Sequence, residues 1–589
     1  MLQSGAMLLL RLIGLVLDVL LLPVRLLTRN RAVEEGSFVS ITIDGAVVDM
    51  VAKPRIWERR AKKALELHDL RELVDHAIAD PRIRGLLVTV KQLAAGMAGA
   101  VSLRDVLANA RAAGKEVVVF LPLGGGTKEV IVASGASKVF LGPSAQLAAL
   151  GFQSRTRYWK GALDKAGVVP EVYHCGEYKS AGETLVRDSM SDAQREQVGV
   201  LLDRFDGALL DAIAEGRKVS RERARSIVDG GPYYGEAAIE VGLADAVAYE
   251  DELPKLLGIE DGKGEKKADK KSGGPGIAVR KMIDGDDYLA FARRPLLRAL
   301  RPAPMIAVIP VHGTIAHASS PFGSFATDDR LARMVRIARL DRRVKGVVLH
   351  VDSPGGSALA SDRMHHEIVQ LAREKPVVAC MANVAASGGY YVAAPAHKIV
   401  CEPVTITGSI GVVAARLTMQ PLMEKLGIVT ETIQRGARAG LLSPTSPLSD
   451  DEKNALGREL DATYRTFVRV VAEGRKMKVE DVEPLARGRV YTGEDAKAQG
   501  LVDVLGGFDV ALREVKAMLP ADVRESVKPV VLRTPRRPIP VVEAPTEGEA
   551  GRRAVRAFLS SILPESESVV VELVARGERV LTLWQGDIG

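Results

Sequence analysis

The sequence predicts an α/β chain in which one mostly parallel domain occurs twice. Three observations carry that expectation. The first is an internal repeat: Lys138-Val-Phe-Leu-Gly-Pro is echoed by Lys398-Ile-Val-Cys-Glu-Pro, and Leu163–Val169 by Met423–Val429, both 260 positions on. Ala-Glu-Gly-Arg-Lys likewise stands at Ala214–Lys218 and again at Ala472–Lys476, and Gly242-Leu-Ala-Asp returns as Gly500-Leu-Val-Asp. Such a period is far too long for a solenoid, so the units are two homologous domains. The second is alternation: short β-branched runs are separated by longer stretches with helical spacing. The third is composition. With 589 residues, 47% apolar, 26% charged and only 4% aromatic, the chain has a soluble-globular balance and room for more than one domain. A wholly disordered, collagen-like or polytopic membrane chain is excluded.

Taken in order, residues 1–34 form an N-terminal membrane anchor or amphipathic segment. Met7–Leu27 is rich in Leu, Val and Ile and has about the ~20 residues that a bilayer-crossing helix needs. Arg11, Asp18, Pro23 and Arg25 interrupt it; Arg11 and Asp18 are spaced to share a helix face and pair. A single span, an interfacial helix and an uncleaved signal-like sequence all fit. Arg25, Arg29 and Arg31 follow the segment, which by the positive-inside tendency favours a cytoplasmic body. Repeat one occupies 35–258. A charged connecting segment, 259–299, includes the Gly- and Lys-rich run Glu260–Gly276. Repeat two occupies 300–520. In it Ile306–Val311, Gly346–Val351 and Pro376–Cys380 read as strands, and Asp329–Leu340 and Ser361–Arg373 as helices. After Val530 the pattern dissolves, and 521–589 is an extension without an assigned role.

Net charge is +7, from 81 Lys+Arg against 74 Asp+Glu spread along the chain. No dense basic block and few aromatics argue against a nucleic-acid partner. Cys175, Cys380 and Cys401 make neither a disulfide framework nor a C-x-x-C pair, and they leave the compartment open. His365-His366-Glu367 lacks the second histidine of His-Glu-x-x-His, so no metal site is expected.

Two strand ends in repeat two carry chemistry. Asp352-Ser-Pro-Gly-Gly-Ser357 leaves a strand through glycines whose N–H groups can face an oxyanion. Ala386-Ser387-Gly388-Gly389-Tyr390 sets a serine at a strand-to-helix corner, near the positive end of a helix dipole. Taken alone, Ser387 is as readily an N-cap as a nucleophile. No histidine stands in a defensible triad pattern, which leaves a lysine as the other source of a base.

Gly176-Glu-Tyr-Lys-Ser-Ala181, Asp352-Ser-Pro-Gly-Gly356, Ala386-Ser-Gly-Gly-Tyr390 and Thr407-Gly-Ser-Ile-Gly411, in that order, resemble the bacterial signal peptide peptidase A (protease IV) family in its long, two-domain form. The resemblance spans roughly Phe38 to Leu519. It implies tandem Clp protease/crotonase-like domains and a serine endopeptidase that cleaves signal peptides and other short apolar segments. It also implies Ser387 as nucleophile, Lys179 as general base, Ser409 orienting the lysine amine, and an oxyanion hole from Gly355, Gly356 and Gly388. No cofactor or metal is implied. The expected setting is the bacterial inner membrane, with a homotetramer whose body faces the periplasm. A crotonase-like acyl-CoA enzyme and a catalytically dead scaffold are the alternatives.

The repeat register supports the pairing independently. The slot of Lys179 in repeat two is Ala439, and the slot of Ser387 in repeat one is Thr127. A duplicated domain pruned in opposite halves would leave one lysine and one serine to build a single site, within a chain or between chains.

Overall fold

Apolar runs become strands buried on both faces, as parallel sheets covered by helices require. The computed structural model describes residues 33–51, 64–148, 150–259, 281–293, 303–317, 325–533 and 581–583, together with Leu20. Apart from Leu20, the Met7–Leu27 stretch lies outside the described residues, as do the Glu260–Gly276 run and most of the C-terminal extension. Among the described residues no helix is long and apolar enough to cross a membrane.

Contacts divide the chain into two compact units: Met1–Phe152 with Phe205–Pro304, and Gln153–Arg204 with Met305–Gly589. In the first, the parallel strands Ser37–Val48, Ile83–Ala94, Glu116–Leu121 and Lys138–Leu141 are consecutive neighbours. In the second, Met305–His312, Val344–Ser353 and Val377–Ala386 pair in parallel, with Val308 beside Val348 and Val348 beside Val378. The helices that follow the first two of these strands are Asp328–Leu340 and Ala358–Glu374. Leu331, Met334, Val335 and Ala338 repeat at helical spacing and share one core with Met364, Ile368, Ile309, Val347 and Ala379. Ser357 caps the second helix by accepting the Ala360 N–H at 3.2 Å.

The duplication is visible element by element. Strand Lys138–Leu141 corresponds to Lys398–Cys401, helix Lys160–Ala166 to Gln420–Lys425, and the long helix Asp192–Arg217 to Asp450–Arg475. One segment breaks the linear division that the sequence suggests. Gln153–Arg204 belongs to repeat one by register but packs with the second unit. The physical reason is strand Val169–Cys175, which pairs antiparallel with Val412–Thr418 along its whole length, Val169 beside Thr418 and Cys175 beside Val412. That pair is one side of a six-stranded sheet ordered Phe325–Thr327, Thr314–Ala316, Gly355–Ser357, Leu581–Leu583, Val412–Thr418, Val169–Cys175.

Candidate active site

Strand Val377–Ala386 ends at a sharp corner, and helix Gly388–Ala393 begins directly after it. Ser387 is the corner, at φ 54° and ψ −115°. A non-glycine residue with positive φ is strained and is retained only where its surroundings fix it. Here the Ser387 N–H donates to the Gly408 carbonyl at 2.8 Å, and the Tyr391 N–H donates to the Ser387 carbonyl at 2.9 Å. A side chain on Gly389 would stand 2.6 Å from the Ser353 carbonyl oxygen, so only glycine closes this turn. Ser387 occupies the N-cap position, yet its side chain makes no capping hydrogen bond. Its hydroxyl is turned to a lysine instead.

Lys179 Nζ lies 2.8 Å from Ser387 Oγ, 3.0 Å from Ser409 Oγ and 3.1 Å from the Ser409 carbonyl oxygen. The lysine is 1% exposed. Burial pushes its pKa well below the ordinary lysine value, because the ammonium loses its water. The three contacts suit a neutral amine: two N–H groups donate to Ser409, and the lone pair accepts the Ser387 hydroxyl proton. Ser409 is itself held at φ 51°, its N–H donating to the Arg489 carbonyl at 2.7 Å. Nucleophile, base and orienting hydroxyl thus converge within one chain and one compact unit. The register argument left open whether the lysine came from the same chain; strand Val169–Cys175 delivers it there.

The glycines expected around an oxyanion are distributed unequally. Ser353 pairs with Ala385, so Gly355 and Ser387 each lie two residues beyond paired neighbours. Gly356, at φ 152°, sits where a Cβ would come 2.1 Å from the Ile315 carbonyl oxygen. The Gly355 N–H donates to Ser353 Oγ at 3.2 Å. Gly388 opens its helix, where an N–H has no intrahelical acceptor. The histidines are engaged elsewhere: His312 Nε2 meets His350 Nδ1 at 2.7 Å, and His317 meets Asp328 at 3.0 Å.

Sequence reasoning missed the residues that seat the lysine. The Gly488 N–H donates to the Ile410 carbonyl at 2.8 Å, and a Cβ on Gly488 would fall 2.6 Å from Lys179 N and 2.7 Å from its Cα and Cβ. The Tyr178 N–H donates to the Arg487 carbonyl at 3.0 Å. The Arg489 guanidinium stacks 3.9 Å from the Tyr178 ring centre and pairs with Glu196, which also accepts the Tyr178 hydroxyl. Arg487–Arg489 therefore clamps the Lys179 loop to the Ser409 loop. No local pattern around Arg-Gly-Arg announces that role.

The model of peptidase family S49 matches this chain twice, over residues 109–261 and 369–522. The chloroplastic serine protease SPPA of Arabidopsis thaliana is 34% identical over 499 residues, covering 83% of this chain and 70% of that protein. Protease 4 of Haemophilus influenzae is 28% identical over 505 residues, 82% of this chain and 79% of that one. Protease 4 of Salmonella typhi is 32% identical over 390 residues, 65% and 60% respectively.

Proposed function

The chain belongs to peptidase family S49 and is a serine endopeptidase, and from that premise we propose that it cleaves peptides with a Ser387/Lys179 dyad. The observation that carries this is the buried Lys179 amine, hydrogen-bonded to Ser387 Oγ and twice to Ser409. Ser387 Oγ attacks the scissile carbonyl while its proton passes to neutral Lys179 Nζ. The oxyanion is met by the Gly388 N–H, with Gly355 and Gly356 lining the facing wall. The new ammonium, steadied by Ser409, returns the proton to the leaving amine, and a water repeats the cycle on the acyl-enzyme.

An extended substrate would bind as an added strand between Gly355–Ser357 and Val412–Thr418, which suits signal peptides and other short apolar segments. The body is held at the bacterial inner membrane through Met7–Leu27, facing the periplasm, and works as a homotetramer. A fluorophosphonate probe tests the chemistry: it should label Ser387 in the full chain and fail on Ser387→Ala. Labelling elsewhere, with Ser387 unmodified, would refute the dyad.

A further inference from the structure

The six-stranded sheet of the second unit contains a strand from the far end of the sequence. Leu581–Leu583 lies antiparallel to Gly355–Ser357, with Leu583 beside Gly355, Thr582 beside Gly356 and Leu581 beside Ser357. On its other side Leu581 lies beside Val413, again antiparallel. Without this strand the sheet separates into Phe325–Thr327, Thr314–Ala316 and Gly355–Ser357 on one side and Val412–Thr418 with Val169–Cys175 on the other. Two strand edges would then face each other across a gap one chain wide, each with backbone N–H and C=O groups to pair.

The reacting groups border that gap. Gly355 and Gly356 belong to one wall; Ser409 enters the other wall just before Val412, and Lys179 follows Cys175 at the outer strand's end. Running from Leu581 to Leu583, the chain passes from Ser357 toward Gly355. That is the end beside the Ser387 corner, because Ser353 pairs with Ala385. A peptide substrate added as a strand would use the same edges.

We propose that the C-terminal strand Leu581–Leu583 is a built-in occupant of the substrate slot, which a peptide must displace before it can be cut. The proposal rests on the peptidase reading above and goes beyond it. Leu-Thr-Leu is uncharged and mostly apolar, the chemistry expected of the substrates themselves. A three-residue strand pairs too briefly to be permanent. Tethering nonetheless raises its local concentration to the millimolar order, so it competes with dilute peptides without binding tightly. The slot would thus favour substrates that are abundant or that offer a longer apolar strand.

The test uses the full chain carrying Thr582→Pro, which removes an N–H from the strand and fixes its φ. If the strand fills the slot about nine-tenths of the time, KM for a fluorogenic apolar peptide falls about tenfold with kcat unchanged. A synthetic peptide of residues 578–586 then inhibits the variant competitively, and inhibits the unmodified chain more weakly. Equal KM for the two proteins, with Ser387 labelled by fluorophosphonate in both, overturns the occlusion and leaves the peptidase intact. Absence of Ser387 labelling in both overturns the peptidase reading instead. Should Thr582→Pro lower the melting temperature, the peptide's inhibition of the unmodified chain decides: a peptide that does not compete with substrate for that chain refutes shared occupancy.

Discussion

Lys179 has to be neutral to accept the Ser387 proton, and burial makes neutrality accessible by lowering its pKa well below the ordinary lysine value. Below that pKa the amine is an ammonium without a lone pair, so activity is lost as pH falls. Above it activity levels off. log(kcat/KM) should therefore rise with unit slope over a single acid limb, well below the pH at which free lysine deprotonates. Lys179→Ala and Lys179→Arg should each lose about 10²–10⁴-fold in kcat, the usual worth of a positioned general base. Arginine separates the two roles of the residue, because it keeps the positive charge and cannot surrender its proton. Turnover near the unmodified level in Lys179→Arg would reduce Lys179 to a structural charge. The serines show what was unreadable at this scale. Their motifs stand in the sequence, but the positive φ of Ser387 and Ser409 does not, because each is imposed by backbone partners distant in the chain, Gly408 and Arg489 among them.

Between elements, most of the second unit was legible. The apolar runs at Ile306, Gly346 and Pro376 start or sit inside real strands, because β-branched residues flanked by helices have few other ways to be buried. The duplication was legible too, and it located the vacated slot at Thr127, whose hydroxyl now only closes a loop with Gly151. The passage of Gln153–Arg204 into the second unit was not, since Val169–Cys175 is half-buried and its pairing with Val412–Thr418 is purely long-range. The clamp at Arg487–Arg489 was equally silent. Gly488→Ala tests it: the added methyl meets the Lys179 backbone, and a displacement of about 1 Å at a reacting group can cost ~10²-fold in rate. We expect kcat to fall by that order while KM is little changed. Gly500→Ala is the control, since Gly500 also has positive φ (74°) but has nothing within 4 Å of the added carbon. Equal activity of the two variants would show that Gly488 does not position the base.

For the whole molecule, the repeat leaves a donor and an acceptor unmatched. Val169–Cys175 of repeat one pairs with Val412–Thr418 of repeat two. The copy of the donor in repeat two is 429–435, and the copy of the acceptor in repeat one is 152–158; neither belongs to a sheet among the described residues. From Gln153 to Tyr158 exposure alternates residue by residue, as on a strand lacking a partner. Val429 and Ile433 are 87% and 89% exposed, costly for apolar side chains on a lone chain. If 429–435 of one copy pairs with 153–158 of the next, the interface is head-to-tail, and repeated rotation closes a ring such as the proposed tetramer. The existing pair fixes the register: Val172 faces Ala415, so Thr432 of one copy should face Arg155 of its neighbour. The double variant Arg155→Cys, Thr432→Cys should form disulfide-linked multimers ending at four on mild oxidation, whereas each single variant, carrying the same three native cysteines, should not. Ile433→Asp should shift the assembly toward monomer in light scattering at equal protein concentration. A monomer for the unmodified chain, or crosslinking by the single variants alone, would remove the strand exchange and with it the basis for the ring.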